Sequence, residues 1–309
     1  MGYIKGTITK GVGGFYYVAC GDIIYECRAR GIFRKDGITP LVGDEVDITV
    51  DDAVNLRGTV DNIHPRKNVL LRPPVANVSQ VAVIIAAASP APNFLTVDKL
   101  IAAAELAGIE ILICVNKTDV ADSKAASIAE IYEKAGFPVV SVSAETRDNI
   151  DALTSHLVGK ITVFAGNSGV GKSSILNLIL GGDVMRVGAV SEKISRGRHT
   201  TRHSELLRLP TNPRPAGTPF REGGSGGFVI DTPGFSAFEL DTVKCEDVAE
   251  LFREFEKYGG MCKFTGCAHV KDKGCAIVEA VGRGEIAQSR HESYVAIYEN
   301  AKKVKDWER

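Results

Sequence analysis

The sequence predicts three packed units: a small N-terminal β-barrel, an α/β domain with a mainly parallel sheet, and a helical C-terminal unit built around a cluster of metal-ligand residues. Three observations predict this. Short β-branched and aromatic runs separated by turn residues fill the chain up to Ile63. Strand-length apolar runs then alternate with helical patterns from Gln80 to Ile179. Three cysteines and a histidine fall within residues 262–275. At 309 residues the chain has room for two or three domains, expected at 1–72, 73–240 and 241–309.

Composition narrows the function classes. A net charge of −1 does not advertise nucleic-acid binding, so such a partner must be argued from local features. The most apolar run, Val81 to Ala88, is strand-sized, which argues against a membrane span. The N-terminus, MGYIKGTITKG, lacks the apolar core of a secretory signal, so a cytoplasmic protein is expected. Seven cysteines, an odd number, then favour metal binding over disulfides.

The barrel is read from strands at Tyr3–Thr9, Phe15–Cys20, Ile23–Arg28, Asp44–Val50 and Arg57–Ile63, with Gly21-Asp22 as a two-residue hairpin turn. Five strands of this size fit an OB-fold or an SH3-like barrel. Arg28, Arg30, Arg34 and Lys35 form a basic cluster that either meets phosphate or is a solvated face. Residues 66–74, with Pro73-Pro74, read as a linker. Beyond it, strands at Gln80–Ala87, Glu110–Val115 and Pro138–Val142 alternate with helices at Leu95–Ala107, Ser123–Ala135 and Ile150–Val158.

The next strand, Ile161–Phe164, runs into Gly166-Asn167-Ser168-Gly169-Val170-Gly171-Lys172-Ser173-Ser174 and a helix. This is G-x-x-x-x-G-K-[ST] between a strand and a helix, where backbone N–H groups cradle a polyphosphate. Lys172 is expected on the terminal phosphates, and the Ser173 hydroxyl on Mg²⁺. Upstream, Asn116-Lys117-Thr118-Asp119 directly follows a strand. The Asp119 carboxylate can accept both N1–H and the 2-amino group of guanine, Asn116 is expected at the other base edge, and Lys117 along the ring; together they select GTP over ATP. Ser143-Ala144, after the following strand, are expected to turn N–H groups toward the guanine O6.

Downstream, residues 195–202 (SRGRHTTR) are polar and without a pattern, and a strand is read at His203–Leu209. Residues 210–227 are Pro/Gly-rich and read as a mobile hairpin connection. The strand Phe228–Ile230 delivers Asp231-Thr232-Pro233-Gly234. Asp231 is expected to hold the Mg²⁺ shell through water, and the Gly234 N–H to sense a γ-phosphate. In most GTPases the base-reading stretch follows the phosphate-binding pieces; here it precedes them, which indicates a circularly permuted GTPase domain.

In the C-terminal unit, Cys262-x4-Cys267-x-His269-x5-Cys275 has the composition of a closed structural zinc site, one ion per chain. Cys20, Cys27, Cys114 and Cys245 lack such partners and read as core residues. Val248–Tyr258 is expected to be an amphipathic helix, and 277–305 mostly helical.

Taken together, the chain resembles the RsgA/YjeQ family of GTPases dependent on the small ribosomal subunit. The residues carrying the resemblance are Gly43-Asp44, Arg66 to Pro73, Asn116 to Asp119, Gly166 to Ser174, Gly197-Arg198-His199-Thr200-Thr201, Asp231 to Phe235 and the zinc quartet. The long 210–227 insert departs from it, since a tighter hairpin is expected there. The resemblance implies a late-acting assembly factor that docks near the decoding region of the small (30S) subunit and hydrolyses GTP to GDP there. Barrel and zinc unit would contact rRNA, and a monomer is expected. A GTP-gated binding module with incidental turnover is a second reading; Asn116 and Asp119 argue against a third, a P-loop ATPase or small-molecule kinase.

One position sharpens the catalytic expectation. Ras-like enzymes place a water-orienting Gln right after the D-x-x-G glycine, and here that position is Phe235. His199 is the candidate for the missing role. It lies beside Thr200 and Thr201, one of which is expected to reach Mg²⁺, and its ring can accept or donate a hydrogen bond near pH 7.

Overall fold

The computed structural model describes residues 3–71, 74–182, 205–210, 226–231, 240 and 243–303. The first five strands are β1 (Ile4–Val12), β2 (Phe15–Cys20), β3 (Ile23–Ala29), β4 (Glu45–Asp52) and β5 (Arg57–Ile63), with a short helix α1 (Gly31–Lys35) between β3 and β4. They close in the order β1-β2-β3-β5-β4, with β4 returning to β1 and β3 parallel to β5. That order is the OB arrangement, which decides against the SH3-like alternative. Alternation along the strands turns Ile8, Val18, Val46, Ile48 and Val60 into the barrel core. Cys20 and Cys27 border or join that core, and burial pushes their thiols up to about 11 and about 12.

The expected linker carries structure. Strands β6 (Val69–Leu71) and β7 (Pro74–Ala76) form a small antiparallel ladder, because a proline at the first position of a strand leaves the later N–H groups free to pair. Arg66 reaches back to the barrel in a bidentate pair with the fully buried Asp44, at 2.7 and 2.8 Å. Gly43, at φ +90°, packs so close that a Cβ there would lie 2.0 Å from the Ala76 carbonyl oxygen.

The α/β unit follows as β8 (Gln80–Ala86), α2 (Phe94–Leu106), β9 (Glu110–Asn116), α3 (Asp122–Lys134), β10 (Val139–Ser141), α4 (Ile150–Ser155), β11 (Ile161–Ala165), α5 (Lys172–Leu180), β12 (Leu207–Arg208) and β13 (Phe228–Asp231). The sheet order is β10-β9-β8-β11-β13-β12, parallel except for β12 against β13. Every residue of β8 is buried, as expected of a strand covered on both faces. Of the strand read at 203–209, the described part is β12 with a bridge at Glu205, and residues 203 and 204 lie outside the described residues. So do residues 211–225 of the predicted connection.

The C-terminal unit holds α6 (Arg253–Glu256), α7 (Ala276–Gly282) and α8 (Gln288–Lys303). The helix expected at 248–258 is not continuous. A 3₁₀ segment, Cys245–Leu251, ends at Phe252, whose extended backbone (φ −118°, ψ 92°) inserts its ring into the core beside Phe255 and Tyr294. Aromatic burial overrides helical continuity there. The unit is tied to α2 by the fully buried Arg290, which pairs with Asp98 at 2.8 Å and Glu254 at 2.7 Å and stacks over Phe252. Both carboxylates make the buried guanidinium tolerable. Among the described residues no helix is long and apolar enough to cross a membrane.

Candidate nucleotide site and metal centre

Parallel strands end at one edge of the sheet, and there the predicted loops meet. After β11 the chain turns through Gly166 (φ +142°), Gly169 (φ +79°) and Gly171 (φ +97°) into α5. A Cβ on Gly166 would sit 2.4 Å from the Ile84 carbonyl oxygen, and one on Gly171 2.3 Å from Asn116 Nδ2, so both glycines are required by close approach. Lys172 folds its ammonium back onto the Gly166 and Asn167 carbonyls, at 2.7 and 2.9 Å, inside the loop it is expected to serve. Ser168 is exposed, while Ser173 and Ser174 lie half-buried in the first turn of α5. Val170 is buried and anchors the loop in the apolar core.

Asn116 joins three loops. Its Nδ2 donates to the Val170 carbonyl at 2.9 Å, and its Oδ1 accepts from the Ala144 N–H at 3.1 Å. It is 1 % exposed, and these two bonds hold the phosphate loop and the 143–144 loop in register. Asp119 is exposed, and its Oδ1 accepts from the buried Ser143 hydroxyl at 2.6 Å, which orients the carboxylate. Thr118 N–H donates to the Val142 carbonyl. Lys117, at φ +70°, stretches across to the carbonyls of Gly169 (2.9 Å) and Ser89.

The Ser89 carbonyl was not legible in the sequence as a partner of Lys117, because no local pattern after the strand says what that turn touches. Thr146 and Asp148 were missed too. The Thr146 N–H donates to the Ser143 hydroxyl and the Asp148 carbonyl accepts from the Ser143 N–H, closing the 143–148 turn. Asp231 ends β13 in register with Phe164, one residue short of the end of β11, which brings its backbone beside the start of the phosphate loop. His199, Thr200, Thr201 and Gly234 lie outside the described residues.

The basic cluster of the barrel divides. The Arg28 guanidinium lies over the Phe15 ring, and Arg30 pairs with Asp61. Arg30 and Arg34, with Tyr16, line a cleft of about 460 Å³.

Cys262, Cys267, His269 and Cys275 offer ligand atoms that all lie within 4.8 Å of one another. Cys262 Sγ is 3.5 Å from His269 Nδ1 and 3.9 Å from Cys275 Sγ, and His269 Nδ1 is 3.4 Å from Cys275 Sγ. A tetrahedral ion with bonds of about 2.3 Å to sulfur and about 2.0 Å to nitrogen has edges of roughly 3.5–3.8 Å, so the donor set fits one. Burial pushes the Cys267 thiol up to about 12 and holds the His269 ring below its usual range. A divalent cation reverses the first effect, since it binds thiolates, and uses the neutral ring that the second provides. His269 sits at φ +56°, and its carbonyl and that of Ala268 are held by the His291 ring at 2.7 Å and the Tyr294 hydroxyl at 2.8 Å.

Comparison with known proteins agrees with this geometry. Residues 63–241 match the RsgA GTPase family and residues 5–55 the RsgA N-terminal domain. The small ribosomal subunit biogenesis GTPase RsgA of Ruminiclostridium cellulolyticum is 43% identical over 301 residues, covering 97% of this chain and 94% of its own. That of Alkaliphilus metalliredigens is 43% identical over 300 residues, covering 97% and 98%. Among solved structures, YloQ, a circularly permuted GTPase, superposes with a TM-score of 0.76 at 34% identity, covering 98% of this chain and 96% of its own. YjeQ from Thermotoga maritima superposes with a TM-score of 0.77 at 31% identity, covering 98% and 100%. With its base-reading strand ahead of its phosphate-loop strand, this chain is a circularly permuted GTPase and belongs to the RsgA GTPase family.

Proposed function

We propose that the chain hydrolyses GTP on the small ribosomal subunit during its late maturation, in the cytoplasm, as a monomer. The observation that carries the nucleotide part is the node at Asn116, which joins the phosphate loop, the base-reading loop and the 143–144 loop at one edge of the sheet. On this reading Asp119 takes the guanine N1 and 2-amino hydrogens, and Lys117 with Thr118 supports the ring. Ser143 and Ala144 face O6. Residues 166–174 wrap the phosphates, Lys172 neutralises charge developing on them, and Ser173 and Asp231 serve Mg²⁺ directly or through water.

The units divide the work: 1–72 and 241–309 meet rRNA, and 73–240 turns over the nucleotide. Cys262, Cys267, His269 and Cys275 hold one structural Zn²⁺, whose chemistry is to fix the fold of the knuckle. The basic cleft of the barrel supports an RNA partner, because Arg30 and Arg34 beside Tyr16 join cationic and aromatic groups at one exposed place.

His199 is assigned to the attacking water, with Thr200 or Thr201 on Mg²⁺ and Gly234 on the γ-phosphate. Phe235 leaves no side chain after Gly234 able to hold that water. His199→Ala is expected to abolish most subunit-stimulated turnover while subunit binding persists; full retained turnover would assign the water to rRNA or backbone. The partner itself is tested by co-sedimentation with isolated small and large subunits. Co-migration with small subunits in a non-hydrolysable GTP analogue, lost in GDP, is expected; equal sedimentation with both subunits would refute it.

A further inference from the structure

The segment Glu205–Arg208 meets both the sheet and the barrel: Leu207 and Arg208, strand β12, pair with Val229 and Phe228 of β13, and the two residues before them meet the barrel. The Leu206 N–H donates to the Thr9 carbonyl at 2.8 Å, and Lys10 and Glu205 form an antiparallel bridge whose side chains pair at 3.0 Å. Thr9 is the extra residue of a bulge in β1, where the register with β2 slips between Ile8 and Lys10. A bulge frees one residue from the ladder and re-aims it; here the Thr9 side chain bonds back to the Tyr17 carbonyl while the main chain accepts from Leu206.

A second contact lies at the barrel's β2–β3 hairpin. Arg208 Nη2 pairs with Asp22 Oδ1 at 2.8 Å, and Nη1 donates to the Gly21 carbonyl. Leu206 is buried in a core shared by Val42, Leu70 and Val75 from the barrel side and Val163 and Ile230 from the sheet. The bulge and the hairpin turn thus grip the segment that forms the antiparallel strand β12 among the described residues, and β13, its neighbour, ends at Asp231 beside the phosphate loop.

We infer that the barrel positions the hydrolytic edge of the GTPase unit through β12, with Asp22 and Arg208 as positioning residues for GTP hydrolysis. Glu205, where the grip begins, is four residues beyond Thr201 in the sequence, so the contact lies next in the chain to the stretch assigned to water and Mg²⁺. The inference rests on that assignment. It predicts a barrel-borne effect on kcat with no effect on base recognition, because Asn116 and Asp119 stand on the far side of β11 from β12.

The test measures GTP turnover by the full chain without subunits, so its outcome is independent of subunit docking. Asp22→Arg and Arg208→Asp each place like charges together and are expected to lower kcat about two- to five-fold, the range of an exposed pair, with KM and guanine preference kept. The double variant, which restores opposite charges, is expected to return kcat to within two-fold of the parent. Asp22→Asn, a minimal change on an exposed turn, is expected to show part of the loss. Single variants with lowered melting temperature but unchanged kcat, or a double variant that fails to recover, would overturn the inference. His199→Ala, assayed separately with small subunits, reports on the underlying assignment: full stimulated turnover there removes the assignment whatever the Arg208 variants do.

Discussion

The nucleotide edge and the zinc knuckle are made of similar material, short turns with left-handed glycines and a few polar side chains, yet they are held in different ways. At the nucleotide edge the protein supplies its own cross-links: Asn116 ties two loops, Lys117 spans to Gly169, and Ser143 orients Asp119. Two apolar layers on either face of a parallel sheet support them. In the knuckle four ligand atoms converge, Met261 and Phe264 beside them stay exposed, and the cysteines pack on one side against the C-terminal core, with His291 and Tyr294 holding two carbonyls. On the proposed function the first site is organised before its ligand arrives, and the second is completed by its ion.

Removing the ion is the harshest way to break that comparison. Chelation, or Cys267→Ala, is expected to release one Zn²⁺ per chain and unfold the knuckle, since structural zinc contributes on the order of 10 kcal/mol. Hydrogen exchange should rise across 259–275 while GTP affinity stays within a few-fold. Elemental analysis showing no zinc in the parent, or full zinc in the variant, would count against the quartet. Lys172→Ala acts on the preorganised site and is expected to cut turnover about 10²- to 10³-fold, a loss of roughly 3–4 kcal/mol in the transition state, with guanine preference kept. Nucleotide competition and single-turnover rates check both halves of that statement. Asp119→Asn should be smaller, weakening GTP about 10- to 100-fold and admitting xanthosine triphosphate, because an amide inverts one partner of the base edge. Unchanged GTP preference in competition would remove Asp119 from the base site.

The sequence was most readable where chemistry fixes spacing. The phosphate loop, Asn116 to Asp119 and the Cys262–Cys275 quartet are each a short run of a kind that ligands select, and the structure brings the first two together through Asn116 and the four ligand atoms of the third within 4.8 Å of one another. Strand positions followed from period and turn residues, but the choice between OB and SH3-like closure required the parallel β3–β5 pairing, a long-range fact no local pattern carries. The break at Phe252 was hidden because its cause is distant: Tyr294 and Arg290, some forty residues on, draw that ring inward. The tie between Thr9 and Leu206 was hidden for the same reason, since a bulge is visible only against its partner strand.

The central claim, a GTPase whose edge is organised in advance but completed on the small ribosomal subunit, is tested most directly by one measurement. GTP turnover of the full chain is followed alone, with isolated small subunits, and with isolated large subunits. Slow turnover alone, raised at least ten-fold by small subunits and unchanged by large ones, is predicted. Equal turnover in all three conditions would contradict it.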